Sequence, residues 1–316
     1  MPASRPAAEV PSPGRSTLTG GGPAGAPFAE TARAKVNLAL HVVGRRPDGY
    51  HLLDTLVVFP AIGDRLTLVP RAEPGIGLTV SGPGAAALAA LPASDNLVCR
   101  AFRLAARTAG RSLEADGLTV HLDKHLPVEA GIGGGSADAA AALRLAARLY
   151  GLDPSAPALL DAAASLGADV PMCLVSRPLR ARGIGEAIEP LGSLPRAGIL
   201  LANPGVALST PAVFRALERR DNSPLGHLGD LSDYDTLLAV LRASRNDLEP
   251  PAGALVPAIG ILLDDLRTLP GADLCRMSGS GTTCFALFAT AAAAEAAATI
   301  LRAARPDLWI AAAAVG

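Results

Sequence analysis

The stretch from Leu126 to Leu149, LPVEAGIGGGSADAAAALRLAARL, constrains the chain more than any other. Four glycines in five positions (Gly131, Gly133, Gly134 and Gly135) lead into Ser136, and an alanine-rich helical segment follows without a break. Glycine reaches backbone conformations that a side chain forbids, and it lets a ligand approach the main chain closely. The helix start adds unpaired N–H groups and the positive end of the helix dipole. Together these make an anion site, suited above all to phosphates. Ala139 to Ala142 carry almost no bulk, so the helix can pack tightly beneath the loop. A serine N-cap needs one turn residue, and this loop supplies far more glycine than that.

Two common phosphate loops do not fit. A Walker loop needs Gly-Lys-Ser/Thr, and no lysine precedes Ser136. A dinucleotide fingerprint needs a third glycine where Ser136 stands and a strand running straight into the turn. Here Pro127 and Glu129 intervene after the apolar run Leu118 to Leu122.

With 316 residues the chain can bury a sizeable core, and two lobes are expected. A net charge of −1 argues against a general binder of nucleic acid or of anionic membranes. The longest apolar candidate, Cys284 to Ile300, contains Glu295 and is mostly alanine, so no membrane span is expected. Cys99, Cys173, Cys275 and Cys284 show neither metal spacing nor disulfide density, which fits a reducing cytoplasm. His121 and His125 stand four apart, but Pro127 and the glycines beyond argue against a helix there, so they read as surface or packing residues. Residues 1–30 are rich in Pro, Gly, Ala and Ser, without apolar periodicity or the apolar core of a secretory signal. They read as a disordered extension, with the fold beginning near Thr31.

Only Lys35 and Lys124 are lysines among 28 basic residues; the others are arginine. A chain that writes arginine almost everywhere keeps lysine where a compact ammonium is needed. Ala32 to Val43 alternates as a strand does, with Arg33, Lys35, Asn37 and His41 on one face. Lys35 and Asn37 therefore point together on a rigid element. On periodicity alone, an edge strand with a solvated polar face explains the same pattern. GRRPDGYH, Gly44 to His51, is a turn by its Pro-Asp-Gly, and Leu52 to Phe59 reads as a second strand. Ser94 to Thr108 reads as a capped amphipathic helix, and Ala158 to Gly167 as a helix ended by glycine.

The stretch from Pro127 resembles the second motif of the GHMP kinases, P-x-x-x-G-h-G-x-x-S/A before a helix. AKVNLALHVVGRRPDGYH, from Ala34, is similar to the first motif of one branch, the 4-diphosphocytidyl-2-C-methyl-D-erythritol kinases. GADVP at Gly167 to Pro171 and RMSGSGTTCFALF at Arg276 to Phe288 match further family segments in the right order. The resemblance implies an α+β GHMP kinase fold of two lobes, residues 31–194 and 195–316, with the active site in the cleft between them. It implies a small-molecule kinase that moves the γ-phosphoryl of ATP, with Mg²⁺, to the 2-hydroxyl of the diphosphocytidyl alcohol in isoprenoid precursor synthesis. No nucleic-acid or membrane partner is implied.

Residue roles follow the same resemblance. Lys35 and Asp169 are the catalytic pair. Pro127, Val128, Glu129, Ala130, Gly131, Ile132, Gly133, Gly134, Gly135 and Ser136 hold ATP. Asn96 stands beside the adenine, although a plain helix cap explains it as well. Asn37, Tyr50, His51, Thr210 and Phe214 meet the substrate, with Tyr50 and Phe214 stacking on the cytosine from opposite sides. Gly279 and Gly281 form a turn against the phosphate loop. No side chain is assigned to the metal; Glu129 or Ser136 is the candidate contact. Ala137 stands where many members carry a second serine, which removes one side-chain phosphate contact and leaves the amides. The rival readings are another GHMP kinase, of homoserine or phosphomevalonate type, and a non-catalytic regulator of the same fold. DGYH with Thr210 and Phe214 argues against the first, and the presence of Lys35 with Asp169 against the second.

Overall fold

The computed structural model describes residues 28–89, 92–113 and 117–315. The extension expected over residues 1–30 lies outside them as far as residue 27. Phe28 to Glu30 already belong to the first strand, so the fold includes at least three residues ahead of Thr31.

The first half runs β1 (Phe28–Arg33), β2 (Val36–Arg45), β3 (His51–Val58), β4 (Gly63–Pro70), β5 (Gly75–Ser81), α1 (Ala85–Leu88), α2 (Leu97–Thr108) and β6 (Gly117–Asp123). It continues through α3 (Gly134–Tyr150), α4 (Pro157–Leu166), α5 (Val170–Val175), β7 (Leu179–Gly183) and β8 (Ala187–Pro190). The second half holds β9 (Ala197–Asn203), α6 (Thr210–Ala216), α7 (Tyr234–Arg242), α8 (Glu249–Leu255), α9 (Ala258–Arg267), β10 (Leu274–Met277), β11 (Cys284–Phe288), α10 (Ala291–Ala304) and β12 (Trp309–Val315). The strands form three four-stranded sheets, ordered β1-β4-β6-β5, β2-β3-β7-β8 and β10-β11-β9-β12. Pairing is antiparallel except for β5 with β6, which α1 and α2 connect as a crossover. Among the described residues no helix is long and apolar enough to cross a membrane.

The single strand expected from Ala32 to Val43 is two strands in two sheets. The break falls at Ala34 and Lys35, whose amides leave the ladder for the carbonyls of Ile62 and Ile132, at 2.8 and 2.9 Å. Both faces of β2 are buried, so its polar residues are not a solvated stripe. A register shift between Asn37 and Ala39 adds a residue and turns the later side chains over. His41 therefore leaves the Lys35 face. Its Nε2 accepts the Arg245 amide at 3.2 Å and its Nδ1 contacts the Ser223 carbonyl at 2.9 Å. Burial holds its pKa below the ordinary 6.5.

Helix α2 buries Val98, Ala101, Phe102, Ala105 and Ala106, a stripe at helical spacing, and packs against α3 and α4. Helix α3 is buried along most of its surface: Ala139 to Ala142 are fully inaccessible, and the helix packs against α2, β1 and α5. The link between β8 and β9 contains the division expected at residues 194 and 195. The apolar core crosses that link. Val36, Leu38, Leu56 and Val58 join Ile199, Leu201, Phe285 and Leu287 in one cluster.

Candidate active site

The loop between β6 and α3 takes left-handed backbone at Glu129, Gly131 and Gly133, with φ of 53°, 74° and 63°. The helix then starts at Gly134, two residues before Ser136, so the amides of Gly134, Gly135 and Ser136 form its open first turn. Gly131 has no room for a side chain: a Cβ there would stand 2.5 Å from the Gly281 carbonyl oxygen and 2.8 Å from that of Ser278. A Cβ on Gly279 would meet the Gly131 oxygen at 2.6 Å. The third glycine turn thus packs directly against the phosphate loop. Hydrogen bonds lace the contact: the Thr283 amide to the Ala130 carbonyl at 3.1 Å, and the Ser278 hydroxyl to the Gly131 carbonyl at 3.3 Å. Buried Asn246 clamps the turn from behind, its Nδ2 donating to the Met277 and Gly279 carbonyls at 2.8 Å each.

Lys35 lies between β1 and β2, and its Nζ donates to Asp169 Oδ2 at 2.9 Å. The lysine side chain is 8% exposed and the carboxylate 39%, so the pair has a buried cation and an anion open to the cleft. Asp169 stands at the start of α5 but makes no side-chain cap to its own helix, which leaves its second oxygen free to face the cavity. Asn37 donates from Nδ2 to Thr55 Oγ1 at 2.8 Å, while its Oδ1 is buried without a partner.

Three cavities meet here. A central one of about 710 Å³ is lined by Lys35, Asn37, Glu129, the glycine loop, Asp169 and Ser280. A second, of about 750 Å³, holds Tyr50, His51, Arg45 and Arg220, and it shares Ser136, Asp169, Thr210 and Phe214 with the first. A third, of about 150 Å³, is lined by Asn96, Pro127, Val128 and Lys124, and it joins the first at Glu129 and Gly134. Ser136 and Asp169 therefore stand at the seam between the two large compartments.

The aromatic end differs from a tyrosine–phenylalanine sandwich. Phe214 stacks on His51, with ring centroids 4.6 Å apart and planes inclined by 21°. Tyr50 is 60% exposed at the rim. Burial, with Arg45 and Arg220, lowers the His51 pKa, so the ring is neutral at pH 7; its Nε2 is buried without a partner. Thr210 opens α6, and its hydroxyl is bonded to Ser280 at 2.8 Å. The Asn96 side chain caps α2, accepting the Val98 amide at 2.9 Å, while lining the small cavity.

Lys124 was legible only as a rare residue. It is buried beneath the loop, with Nζ 2.5 Å from Asp64 and 2.7 Å from Asp138. Asp64 also accepts the amides of His125 and Leu126, at 2.6 and 2.8 Å, so one carboxylate fixes the chain entering the loop. Burial raises the Asp138 pKa against the pull of Lys124. Ser278, Thr55 and Asn246 also escaped the sequence reading. Asn246 serves two places at once: its Oδ1 accepts the Leu248 amide at 3.0 Å ahead of α8 while its Nδ2 reaches across to the glycine turn. His121 and His125 lie at the exposed surface and pair with Thr79 and Asp123.

A glycine cradle on a helix start, a Lys–Asp pair at its mouth and a bipartite cleft define a small-molecule kinase of the GHMP class. The descriptions "GHMP kinases N terminal domain" and "GHMP kinases C terminal" match residues 96–177 and 213–307. The chain is 52% identical over 284 residues to the 4-diphosphocytidyl-2-C-methyl-D-erythritol kinase of Paracoccus denitrificans, covering 90% of this chain and 95% of that protein. It is 54% identical over 273 residues to the protein of the same name from Granulibacter bethesdensis, covering 86% and 89%. A crystal structure of 4-(cytidine 5'-diphospho)-2C-methyl-D-erythritol kinase superposes with a TM-score of 0.72 at 35% identity, over 91% of this chain and 99% of that one. Homoserine kinase from Cytophaga hutchinsonii, at 19% identity and a TM-score of 0.66, shares the fold alone. The chain belongs to the 4-diphosphocytidyl-2-C-methyl-D-erythritol kinase family.

Proposed function

We propose that this chain transfers the γ-phosphoryl group of ATP to the 2-hydroxyl of 4-diphosphocytidyl-2-C-methyl-D-erythritol, in isoprenoid precursor synthesis. One observation carries the reading to the level of residues: Ser136 and Asp169 line both large compartments, with the Lys35 ammonium 2.9 Å from the carboxylate. ATP lies with its purine toward Asn96 and Pro127 and its phosphates on the amides of Gly134 to Ser136. The diphosphocytidyl group occupies the compartment of His51 and Phe214. The base stacks on the face of Phe214 that His51 leaves open, and Tyr50 closes from the rim. Neutral His51 offers Nε2 to the base edge, and Arg45 and Arg220 complement the diphosphate. Thr210 positions the sugar end.

Asp169 accepts the proton of the 2-hydroxyl as its oxygen bonds to the γ-phosphorus and ADP departs. Lys35 neutralises charge that develops on the transferring group. The unpartnered Oδ1 of Asn37 accepts a hydrogen bond from the substrate. Among the described residues no three metal-binding side chains cluster. Glu129, Ser136 and Asp169 nevertheless put hard oxygen donors around the central cavity, which suits an ion held mainly by nucleotide phosphates. Mg²⁺ would be held there by Glu129 and Ser136, supplying charge neutralisation to the phosphates. The four cysteines, all free thiols, support a reducing compartment, the cytoplasm.

The test is a substrate panel with ATP. ADP release with the cytidine diphospho-alcohol, and none with homoserine or phosphomevalonate, is the expected result. Turnover of either rival in preference would overturn the assignment. ATP consumption with none of them would favour a non-catalytic relative.

A further inference from the structure

A fourth cavity, of about 470 Å³, lies on the first lobe and shares no lining residue with the cleft. Its wall includes Glu30, Thr31, Arg33, Arg65, Arg144 and Ser176. Thr31 pairs with Arg65 and Arg33 with Gly63 across β1 and β4, so the two arginines are diagonal neighbours on one sheet face. Neither has a hydrogen-bond or ion-pair partner among the described residues, and both are exposed. Arg144 is engaged: it bonds Glu30 at 3.2 Å, the Cys173 carbonyl at 2.8 Å and the Thr31 carbonyl at 3.0 Å. Glu30 is shared with Arg148 at 3.3 Å, so its charge is already answered. Two guanidinium groups remain uncompensated at the mouth of one concave site. Like charges held together on a strand pair repel, and an anion between them removes that cost.

We propose that this cavity is a second ligand site, for a small phosphate-bearing anion, and that its occupancy alters the rate of phosphoryl transfer. Paired guanidinium forks match phosphate oxygens in geometry and charge. Among the described residues no aromatic side chain lines the cavity, so it suits a mono- or diphosphate on a small polar skeleton and not a nucleobase. The coupling is built from shared elements. Arg33 stands two residues before Lys35. Arg144 belongs to α3, which the phosphate loop opens, and it holds the Cys173 carbonyl of α5. Ser176 ends α5, which Asp169 begins. A ligand that draws on Arg144 therefore acts on the elements that place Asp169 and the loop.

Inorganic pyrophosphate is the probe. It is titrated calorimetrically into the full chain, at constant excess Mg²⁺, with the cleft saturated by a non-hydrolysable ATP analogue and the cytidyl substrate. The expected result is saturable binding that weakens roughly tenfold or more in the Arg33→Gln/Arg65→Gln variant, since contacts to charged groups are lost. Without pyrophosphate that variant turns over within about twofold of the parent, as surface changes do. Arg65→Gln alone repeats the comparison if the double variant melts early. Pyrophosphate should also shift kcat in the parent and not in the variants. No binding to the filled enzyme, or equal binding in the variants, would overturn the site, and binding without a change in kcat would overturn the coupling.

Discussion

Lys35 shows how little latitude one residue has. Its side chain is nearly sealed, and it lies along the loop: a Cβ on Gly133 would stand 3.3 Å from that of Lys35. An arginine brings a larger planar fork into the same slot. Lys35→Arg and Lys35→Ala should both lower kcat by about 10²-fold or more, because a displacement of about 1 Å or the loss of one stabilising contact each costs that much. A thermal melt must show both variants folded; near-normal turnover of the arginine variant would mean that Lys35 supplies only charge. Phe214→Ala should raise KM for the cytidyl substrate about 5- to 150-fold and leave KM for ATP nearly unchanged, the scale of aromatic–base stacking. Equal effects on both substrates would make Phe214 a packing residue. Beneath the loop, one ammonium serves two buried carboxylates, an excess of negative charge. Burial pushes Asp138 up to about 7 from an ordinary 3.8, so its stabilising contribution is full below about 3.8 and is lost as pH rises through about 7. Asp138→Asn should therefore gain stability relative to the parent as pH rises, by about 1 kcal/mol or more at pH 8. Denaturant midpoints at pH 5 and pH 8 measure the difference, and a gap that does not widen with pH would refute it.

At the scale of elements, the phosphate loop separates two uses of glycine. Gly131 needs both its left-handed backbone and its missing Cβ, because two carbonyl oxygens of the third motif occupy the space. Gly135 has helical backbone and only Leu97 nearby, at 3.6 Å. Gly131→Ala should destabilise the fold by at least about 1–2 kcal/mol from backbone handedness alone. Gly135→Ala should melt no lower than the parent, while KM for ATP rises because the methyl group enters the cradle. If the two variants melt alike, Gly131 is not a packing position. The legibility of these elements follows from the range of the forces involved. The glycine loop, α2 and α4 are set by spacing and caps within a dozen residues, so the sequence displays them. The break at Ala34 is set by carbonyls from Ile62 and Ile132, and no local pattern could reveal it. The same holds for His51 under Phe214 and for Lys124 between Asp64 and Asp138, which join residues far apart in the chain. The pairing of Lys35 with Asp169 is likewise beyond periodicity; it was the family resemblance that singled out both residues.

The whole molecule is held at its waist. Besides a core of its own in the first lobe, the chain has one that joins Val36 and Leu56 to Ile199 and Phe285, so the two lobes share part of their interior. A polar clamp reinforces it on one side. Asp54 of β3 accepts from Arg180 of β7 at 2.8 and 2.6 Å and from the Leu225 amide at 3.0 Å. Arg180 returns bonds to the Leu225 and Gly226 carbonyls, at 2.7 and 3.2 Å, so the first lobe's sheet is tied to the segment ahead of α7. Asp54 is 2% exposed and Arg180 8%. Removing the acid strands a buried guanidinium, a loss of about 3–5 kcal/mol. Asp54→Ala should therefore lower Tm on the order of 10 °C. Replacing both partners, as Asp54→Leu with Arg180→Leu, should recover most of that loss, because no charge is then left unpaired. The shared core adds a stronger condition: every one of these variants should unfold in a single calorimetric transition, with equal calorimetric and van't Hoff enthalpies. Two resolved transitions in Asp54→Ala would show that the clamp, and not the common core, makes the lobes one cooperative unit.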